Sequence, residues 1–142
     1  MFSDSAIPQD LVQAYLETHY QVQGSAPMVL RVGEVNLALA ALHAAAGVDC
    51  SAFITAWNPL SVQQEPARNL ALQQSLEHVL QQRGWRWING VGQHPVNSRP
   101  GEESFLMLGV ALDDARALGV QFGQNAIVWS GADALPQLIL LR

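Results

Sequence analysis

The sequence predicts a single α/β (α+β) domain, with a mixed sheet of about five or six strands flanked by about four helices. Segments with strand-like apolar periodicity alternate with segments whose apolar residues recur at helical spacing. Glycine or proline punctuates most junctions between them. The 142 residues are 49% apolar and 13% charged, as expected for one compact domain. We expect residues 1–47 to form a helix-and-strand lead-in and residues 48–142 to form the core.

The amino-terminal third is predicted to hold two helices and a short strand. Residues 8–20 have apolar side chains at helical spacing and begin with a proline suited to a first turn. A turn at residues 24–27 leads into a strand at 28–32. Residues 34–46 form an Ala-rich helix, which the following glycine closes.

A buried strand and a long helix follow. Residues 50–59 (CSAFITAWNP) read as an apolar strand that ends in an Asn-Pro turn. The helix can begin at a capping box at Ser61 or with Pro66 in its first position, and it runs to Arg83. Asn69 falls on the apolar stripe of this helix. An inward amide needs a partner, because leaving it unsatisfied costs ~1–3 kcal/mol.

The rest of the chain alternates strands with shorter connections. Residues 104–110 are apolar on both alternating faces, which is typical of a strand covered on both sides. The predicted elements are a half-buried strand at 85–89, a loop at 90–102, the strand at 104–110, a short helix from Asp113 that Gly119 ends, and strands at 126–130 and 137–141.

The connections predict the strand directions. A long helix joins the strand at 50–59 to that at 85–89, so these two should be parallel. A helix likewise joins the strand at 104–110 to that at 126–130, whereas the loop at 90–102 favours an antiparallel pair. The carboxyl end of strand 50–59 should therefore meet the amino ends of strands 104–110 and 126–130 at one edge of the sheet.

Polar residues gather at this predicted edge. The candidate ligand-binding residues are Thr55, Trp57, Asn58, Asn69, His94, Ser104, Gln124 and Asn125. Small-ligand pockets commonly combine apolar walls with a few convergent polar groups. Glu103 is the candidate catalytic acid or base if burial raises its pKa. The alternative is a solvated carboxylate, or one paired with an arginine such as Arg68 or Arg99.

Four short blocks carry a family resemblance. They are Thr55-Ala56-Trp57-Asn58-Pro59, Asn69, Glu103-Ser104-Phe105 and Phe122-Gly123-Gln124-Asn125-Ala126. In this order, and over about residues 48–128, the chain resembles an uncharacterised bacterial family, domain-of-unknown-function family 3293. The resemblance implies a relative and no established activity.

Composition argues against several classes of protein. The net charge is −5, and the seven cations are dispersed arginines, which argues against nucleic acid or an anionic membrane surface as partner. The absence of lysine excludes Schiff-base chemistry and a P-loop. One cysteine and four histidines without metal spacing predict no disulfide, no metal and no cofactor. No signal peptide or apolar span is recognisable, so a cytoplasmic location is expected.

Two functional hypotheses remain open at this point. The first is recognition of a small polar ligand, nucleotide- or sugar-like, at the predicted edge, with or without metal-free hydrolysis or transfer. The second is a non-enzymatic adaptor that acts through an exposed surface or strand edge. Its apolar terminus at 138–141 would suit pairing with a partner or a homodimer. Whether the protein is an enzyme is left open by the sequence.

Overall fold

A computed structural model describes residues 5–97 and 99–142. Within these residues the chain forms four α-helices, a 3₁₀ turn at Pro59–Ser61 and seven strands. In chain order they are α1 (Gln9–Glu17), β1 (His19–Val22), β2 (Met28–Leu30), α2 (Leu37–Ala46), β3 (Ser51–Ile54), α3 (Pro66–Gln82), β4 (Arg86–Gln93), β5 (Glu102–Leu108), α4 (Leu112–Gln121), β6 (Ala126–Ser130) and β7 (Pro136–Leu140). The predicted α+β domain is confirmed, with one strand more than the upper expectation.

The described strands form one sheet in the order β2-β1-β4-β5-β3-β6-β7. Every hydrogen-bonded pair is antiparallel. The parallel relations expected from the helical connections exist between strands that are not adjacent. β3 and β4 both run antiparallel to β5, which lies between them, and β5 and β6 both run antiparallel to β3. The directions at the predicted edge are therefore as the connections implied.

Helices cover both faces of the sheet. Along β5, Phe105 and Met107 pack in a core with residues of α3 and α4, such as Leu76 and Leu118. Leu106, the residue between them, packs in a second core with residues of α1 and α2. Alternate residues of a strand point to opposite faces, so a central strand covered on both sides must be apolar throughout. We call these the α3/α4 face and the α1/α2 face.

Two predicted boundaries were wrong around β1. Residues 18–20 were expected to end the first helix, but Thr18 is already extended (ψ 143°) and residues 19–22 pair with β2 and β4. The predicted loop at 90–102 is shorter than expected, because β4 continues to Gln93 between β1 and β5. These long-range pairings override the local turn signal of the glycines at 90 and 92.

The helix ends also differ in part. Of the two candidate starts for α3, Pro66 is the one used, and Ser61 belongs to the 3₁₀ turn. Gly119 does not end α4 but lies buried within it, and the helix runs to Gln121. A Cβ at Gly119 would lie 2.5 Å from Leu141 Cδ1, so the missing side chain lets α4 approach the chain terminus closely. No helix in the described part of the chain combines the length and apolar character required to span a bilayer.

Candidate functional site

The predicted sheet edge opens into a cavity of about 130 Å³ on the α1/α2 face. It lies between α1, the carboxyl end of β3 and the amino ends of β5 and β6. Its lining includes eight polar residues from these elements and their loops: Tyr15, Thr55, Asn58, Ser61, Glu102, Ser104, Gln124 and Asn125. The structure thus brings together six of the eight candidate ligand-binding residues, including His94, and adds others.

The floor of the cavity is aromatic. Tyr20 and Phe53 meet edge to face, with ring centroids 5.2 Å apart and an interplanar angle of 70°. Two glycines of β4 lie beside these rings. A Cβ at Gly90 would lie 2.8 Å from Phe53 Cε2 and 2.5 Å from Gln21 O, whereas a Cβ at Gly92 would meet nothing closer than 3.9 Å. Gly90 is therefore needed for packing, whereas Gly92 lines the cavity and has room for a methyl group.

Asn58 occupies the turn after β3 with φ 46°, a left-handed conformation that asparagine tolerates better than most residues. Its Oδ1 accepts hydrogen bonds from Gln64 N at 3.0 Å and Asn69 Nδ2 at 2.8 Å. These two donors fix the orientation of the amide. Its Nδ2 is thereby directed at Glu102 Oε2, to which it donates at 3.0 Å.

Asn69 supports this arrangement from α3 without lining the cavity. Its side chain is buried (2% exposed), and its Oδ1 accepts from Asn58 N at 2.8 Å. Together with the Nδ2 bond, Asn69 therefore holds Asn58 by two reciprocal hydrogen bonds. The buried Asn69 amide, which was expected to need a hydrogen-bond partner, is thus bonded to Asn58 in the turn after β3.

The turn around Asn58 is conformationally strained. Leu60 and Ser61 also have positive φ values, 57° and 60°. Such conformations cost on the order of 1–3 kcal/mol for non-glycine residues and persist where the surroundings enforce them. Here the Leu60 N–H donates to Gly123 O at 2.7 Å, which ties the turn to the segment before β6.

Glu102, rather than Glu103, is the carboxylate of the cavity. The two are neighbours on β5 and point to opposite faces. Burial raises the pKa of Glu102 above its ordinary value of 4.5, while the hydrogen bond from Asn58 and the charge of Arg99 lower it. Glu103 is exposed and borders a groove with Gln73 and Glu77 on the α3/α4 face. Its placement therefore gives no support to the predicted catalytic role.

Several predicted residues act mainly by holding the edge together. Thr55 Oγ1 donates to Glu103 O at 2.5 Å and accepts from Trp57 N at 3.0 Å. Ser104 Oγ donates to Glu102 O at 2.9 Å. Thr55 and Ser104 line the cavity, whereas the side chain of Trp57 does not.

Gln124 joins the segment before β6 to the turn after β3. Its Nε2 donates to Trp57 O at 3.2 Å and to Phe122 O at 3.3 Å, and its side chain borders the cavity. These bonds link the carboxyl end of β3 to the amino end of β6. The two strand ends therefore lie at one edge of the sheet, as predicted from the strand directions.

Asn125 binds two hydroxyl groups whose proximity was not predicted from the sequence. Its Nδ2 donates to Tyr15 Oη at 3.0 Å and to Ser61 Oγ at 3.2 Å, and its Oδ1 accepts from Arg142 Nη1 at 2.9 Å. Tyr15 and Ser61 also share a short hydrogen bond. These residues are separated by 46 to 110 positions in the chain, so no local pattern could have joined them.

His94 lines the cavity but both ring nitrogens are already engaged. Nδ1 accepts from the backbone N–H groups of Val96 at 3.1 Å and Asn97 at 3.0 Å. The proton must therefore be on Nε2, which donates to Glu17 Oε1 at 3.0 Å. This hydrogen bond lowers the pKa of Glu17. His94 thus fastens the loop before β5 to the end of α1.

The described residues contain no cluster of three or more His, Cys, Asp or Glu side chains placed to hold a metal ion. Of the two arginines considered as neighbours of the edge, Arg99 lines the cavity and Arg68 does not. The site thus consists of a half-buried carboxylate, several amides and hydroxyls, and an apolar floor.

The fold and the site define a small α+β protein with a polar-rimmed cavity at the edge of an antiparallel sheet. The chain belongs to the family described as "Protein of unknown function (DUF3293)", which matches residues 54–127, just over half of the chain. The resemblance carried by the four sequence blocks is thereby confirmed. No curated protein and no solved structure matches the chain at a significant level.

Proposed function

We propose that the cavity binds a small polar molecule whose N–H groups face Glu102 and whose body rests on Tyr20 and Phe53. The observation that carries this proposal is the half-buried Glu102 carboxylate. Asn58 holds its Oε2, and among residues 5–97 and 99–142 its Oε1 takes part in no hydrogen bond. A carboxylate in this setting gains most from a ligand that donates hydrogen bonds.

The size of the cavity limits the ligand. Its volume of about 130 Å³ is well below the ~300–1,000 Å³ typical of sites for drug-sized molecules. The ligand is therefore a molecule of few atoms, or one polar part of a larger nucleotide- or sugar-like molecule whose remainder lies outside. Gly92 lines the cavity, and because it has no side chain, the wall beside it is where such a ligand would fit against the sheet.

Glu102 is also the residue that we assign as general acid or base if the protein is a hydrolase or transferase. A pKa raised by burial brings a carboxyl group closer to neutral pH, where proton transfer is most effective. Asn58 would orient the carboxyl group, and Asn69 would position Asn58. Thr55, Ser104 and Gln124 border the same space and would complete the polar rim.

A matched pair of probes tests the proposal. Benzamidine and benzoate have the same shape, but the first only donates hydrogen bonds and the second only accepts them. We expect benzamidine to raise the Tm of the protein and benzoate not to. At ten times its Kd, a ligand adds ~1.4 kcal/mol of stability, which for a chain of this length corresponds to roughly 5 °C. The measurement is differential scanning fluorimetry with ligand-observed NMR.

Two substitutions of adjacent residues supply the control. Glu102→Gln should abolish the benzamidine shift, because Asn58 would bind the amide oxygen and leave an N–H₂ group facing the ligand. Glu103→Gln should leave the shift unchanged, since Glu103 lies on the other face of β5. Gly92→Ala should fold, because its Cβ meets only contacts of 3.9 Å or more, and should weaken binding. Equal benzamidine shifts in the two Gln variants would refute the site.

The alternative of an adaptor that acts through a strand edge receives less support. Its main argument was the apolar terminus at 138–141. Leu138 is 7% exposed and packs in the α1/α2-face core, and Ile139 and Leu141 pack against the opposite core. Folding of the single chain thus accounts for these apolar residues without a partner. Size-exclusion chromatography tests the homodimer version of this alternative.

A further inference from the structure

Two hydroxyl groups form one wall of the cavity. Tyr15 Oη and Ser61 Oγ share a hydrogen bond, and Asn125 Nδ2 donates to both. All three residues line the cavity. The orientation of the Asn125 amide is fixed, because its Oδ1 accepts from the guanidinium of Arg142, which can only donate.

This cluster has one proton more than its internal hydrogen bonds use. Tyr15 and Ser61 each carry one hydroxyl proton, and each oxygen already accepts from Asn125. One of the two protons forms the bond between the hydroxyls. Within residues 5–97 and 99–142 no acceptor takes the other. Because hydroxyl protons rotate to suit their surroundings, the spare proton is available to a molecule in the cavity.

Building on the proposed function, we infer that the Tyr15–Ser61 wall recognises a hydrogen-bond acceptor, namely the carbonyl oxygen of an uncharged amide or lactam. The acceptor must be uncharged because the Glu102 carboxylate shares the cavity and would repel a second anion. Arg99, the one arginine among the described lining residues, supplies a single positive charge to offset that carboxylate. The ligand then offers a carbonyl to the hydroxyl cluster and N–H groups to Glu102. Tyr20 and Phe53 contact its apolar part.

The count of protons makes a distinctive prediction about variants. In Tyr15→Phe the Ser61 hydroxyl is released to donate, and in Ser61→Gly the Tyr15 hydroxyl is released. Each single variant therefore keeps one donor for the ligand, and only the double variant loses it. Glycine is chosen at position 61 because the φ of Ser61 is 60°, a conformation that glycine adopts without strain.

The probes are meta- and para-aminobenzamide, compared with the aminobenzamidines in which an amidinium nitrogen replaces the carbonyl oxygen. NMR titration gives the Kd of each, and the change in their ratio between parent and variant reports on the carbonyl contact, because the charge difference between the probes is the same in both proteins. We expect the Tyr15→Phe/Ser61→Gly double variant to lose about 5–10-fold of the relative affinity for the carbonyl probes, the size of one hydrogen bond. Each single variant should stay within about two-fold of the parent.

An unchanged ratio in the double variant, or a full loss in either single variant, overturns the inference. If the double variant does not fold, Asn125→Asp replaces it. The new carboxylate accepts the spare proton, so the same loss is expected with both hydroxyls present, and an unchanged ratio there also overturns the inference. Glu102-dependent benzamidine binding with an unchanged ratio leaves the proposed function standing. Failure of every probe to bind the parent removes both.

Discussion

Asn69 offers the most direct test of how the cavity is held in shape. Asn69→Ala removes both hydrogen bonds to Asn58. Asn58 Oδ1 keeps its bond from Gln64 N, so losing the Asn69 donor costs about 1 kcal/mol. The Asn58 N–H has no replacement acceptor, and an unsatisfied donor costs ~1–3 kcal/mol. The total is about 3 kcal/mol.

This free energy translates into a measurable change in Tm. At ~2.1 cal/mol/K of unfolding entropy per residue, a chain of this length has roughly 0.3 kcal/mol/K, so Asn69→Ala should lower the Tm by about 10 °C. Urea unfolding followed by tryptophan fluorescence gives the free energy of unfolding independently. Gln74→Ala, at an exposed site on the same helix, is the matched control and should stay within ~0.5 kcal/mol of the parent.

Asn69→Asp distinguishes hydrogen-bond geometry from loss of volume. One carboxylate oxygen still accepts from Asn58 N, but the other faces Asn58 Oδ1, which Gln64 N holds in place. The resulting repulsion disappears when the new carboxyl group is protonated and donates to Asn58. We therefore expect Asn69→Asp to approach the stability of the parent as the pH falls. A cost below ~0.5 kcal/mol for Asn69→Ala, or a pH-independent cost for Asn69→Asp, would refute the reasoning.

Two further predictions concern pH. Burial raises the pKa of Glu102, so its contribution to stability is present below pH 4.5 and is lost as the pH rises through the raised value. Glu102→Gln should therefore be more stable than the parent at neutral pH and equal to it in acid, which urea titrations at several pH values would measure. An equal gain in Glu103→Gln would contradict this. Burial lowers the pKa of His43, which contacts Ser51 Oγ at 2.8 Å, so stability should fall as the pH drops below 6.5 toward the lowered value. His43→Gln should remove that part of the acid-side loss in the same titrations, and an unchanged pH profile would count against the assignment.

Six of the seven described strands, and the directions of β3 to β6, followed from the sequence because apolar periodicity and connection type are local information, whereas β1 was not predicted. The connections between the strands predicted how β3 to β6 run, and the structure has them in those directions. Asn69 was recognised as an inward amide because it falls on an apolar helical stripe. The shared edge follows from these directions: Thr55 and Asn58 donate hydrogen bonds to the start of β5, and Gln124 donates to the segment after β3.

Glycine in β4 illustrates where the local signal misleads. Gly90 and Gly92 are typical of a loop, yet both lie in β4, and at Gly90 the ring of Phe53 occupies the space that a side chain would fill. The reason for Gly90 is thus a contact with a residue that is distant in the chain. The sequence pattern shows the glycine but cannot indicate that the ring of Phe53 packs against it.

The sequence by itself therefore determined the fold class, the strand directions and the family. The tertiary structure decided which carboxylate enters the cavity. Alternate residues of β5 are apolar on both faces of the sheet, so the sequence pattern does not indicate which face has the cavity. It also decided that Tyr15, Ser61 and Asn125 meet, since α1, the turn after β3 and the start of β6 come together only when the sheet has formed. The sheet places the side chains of the adjacent residues Glu102 and Glu103 on opposite faces, and it brings residues that are distant in the sequence into contact.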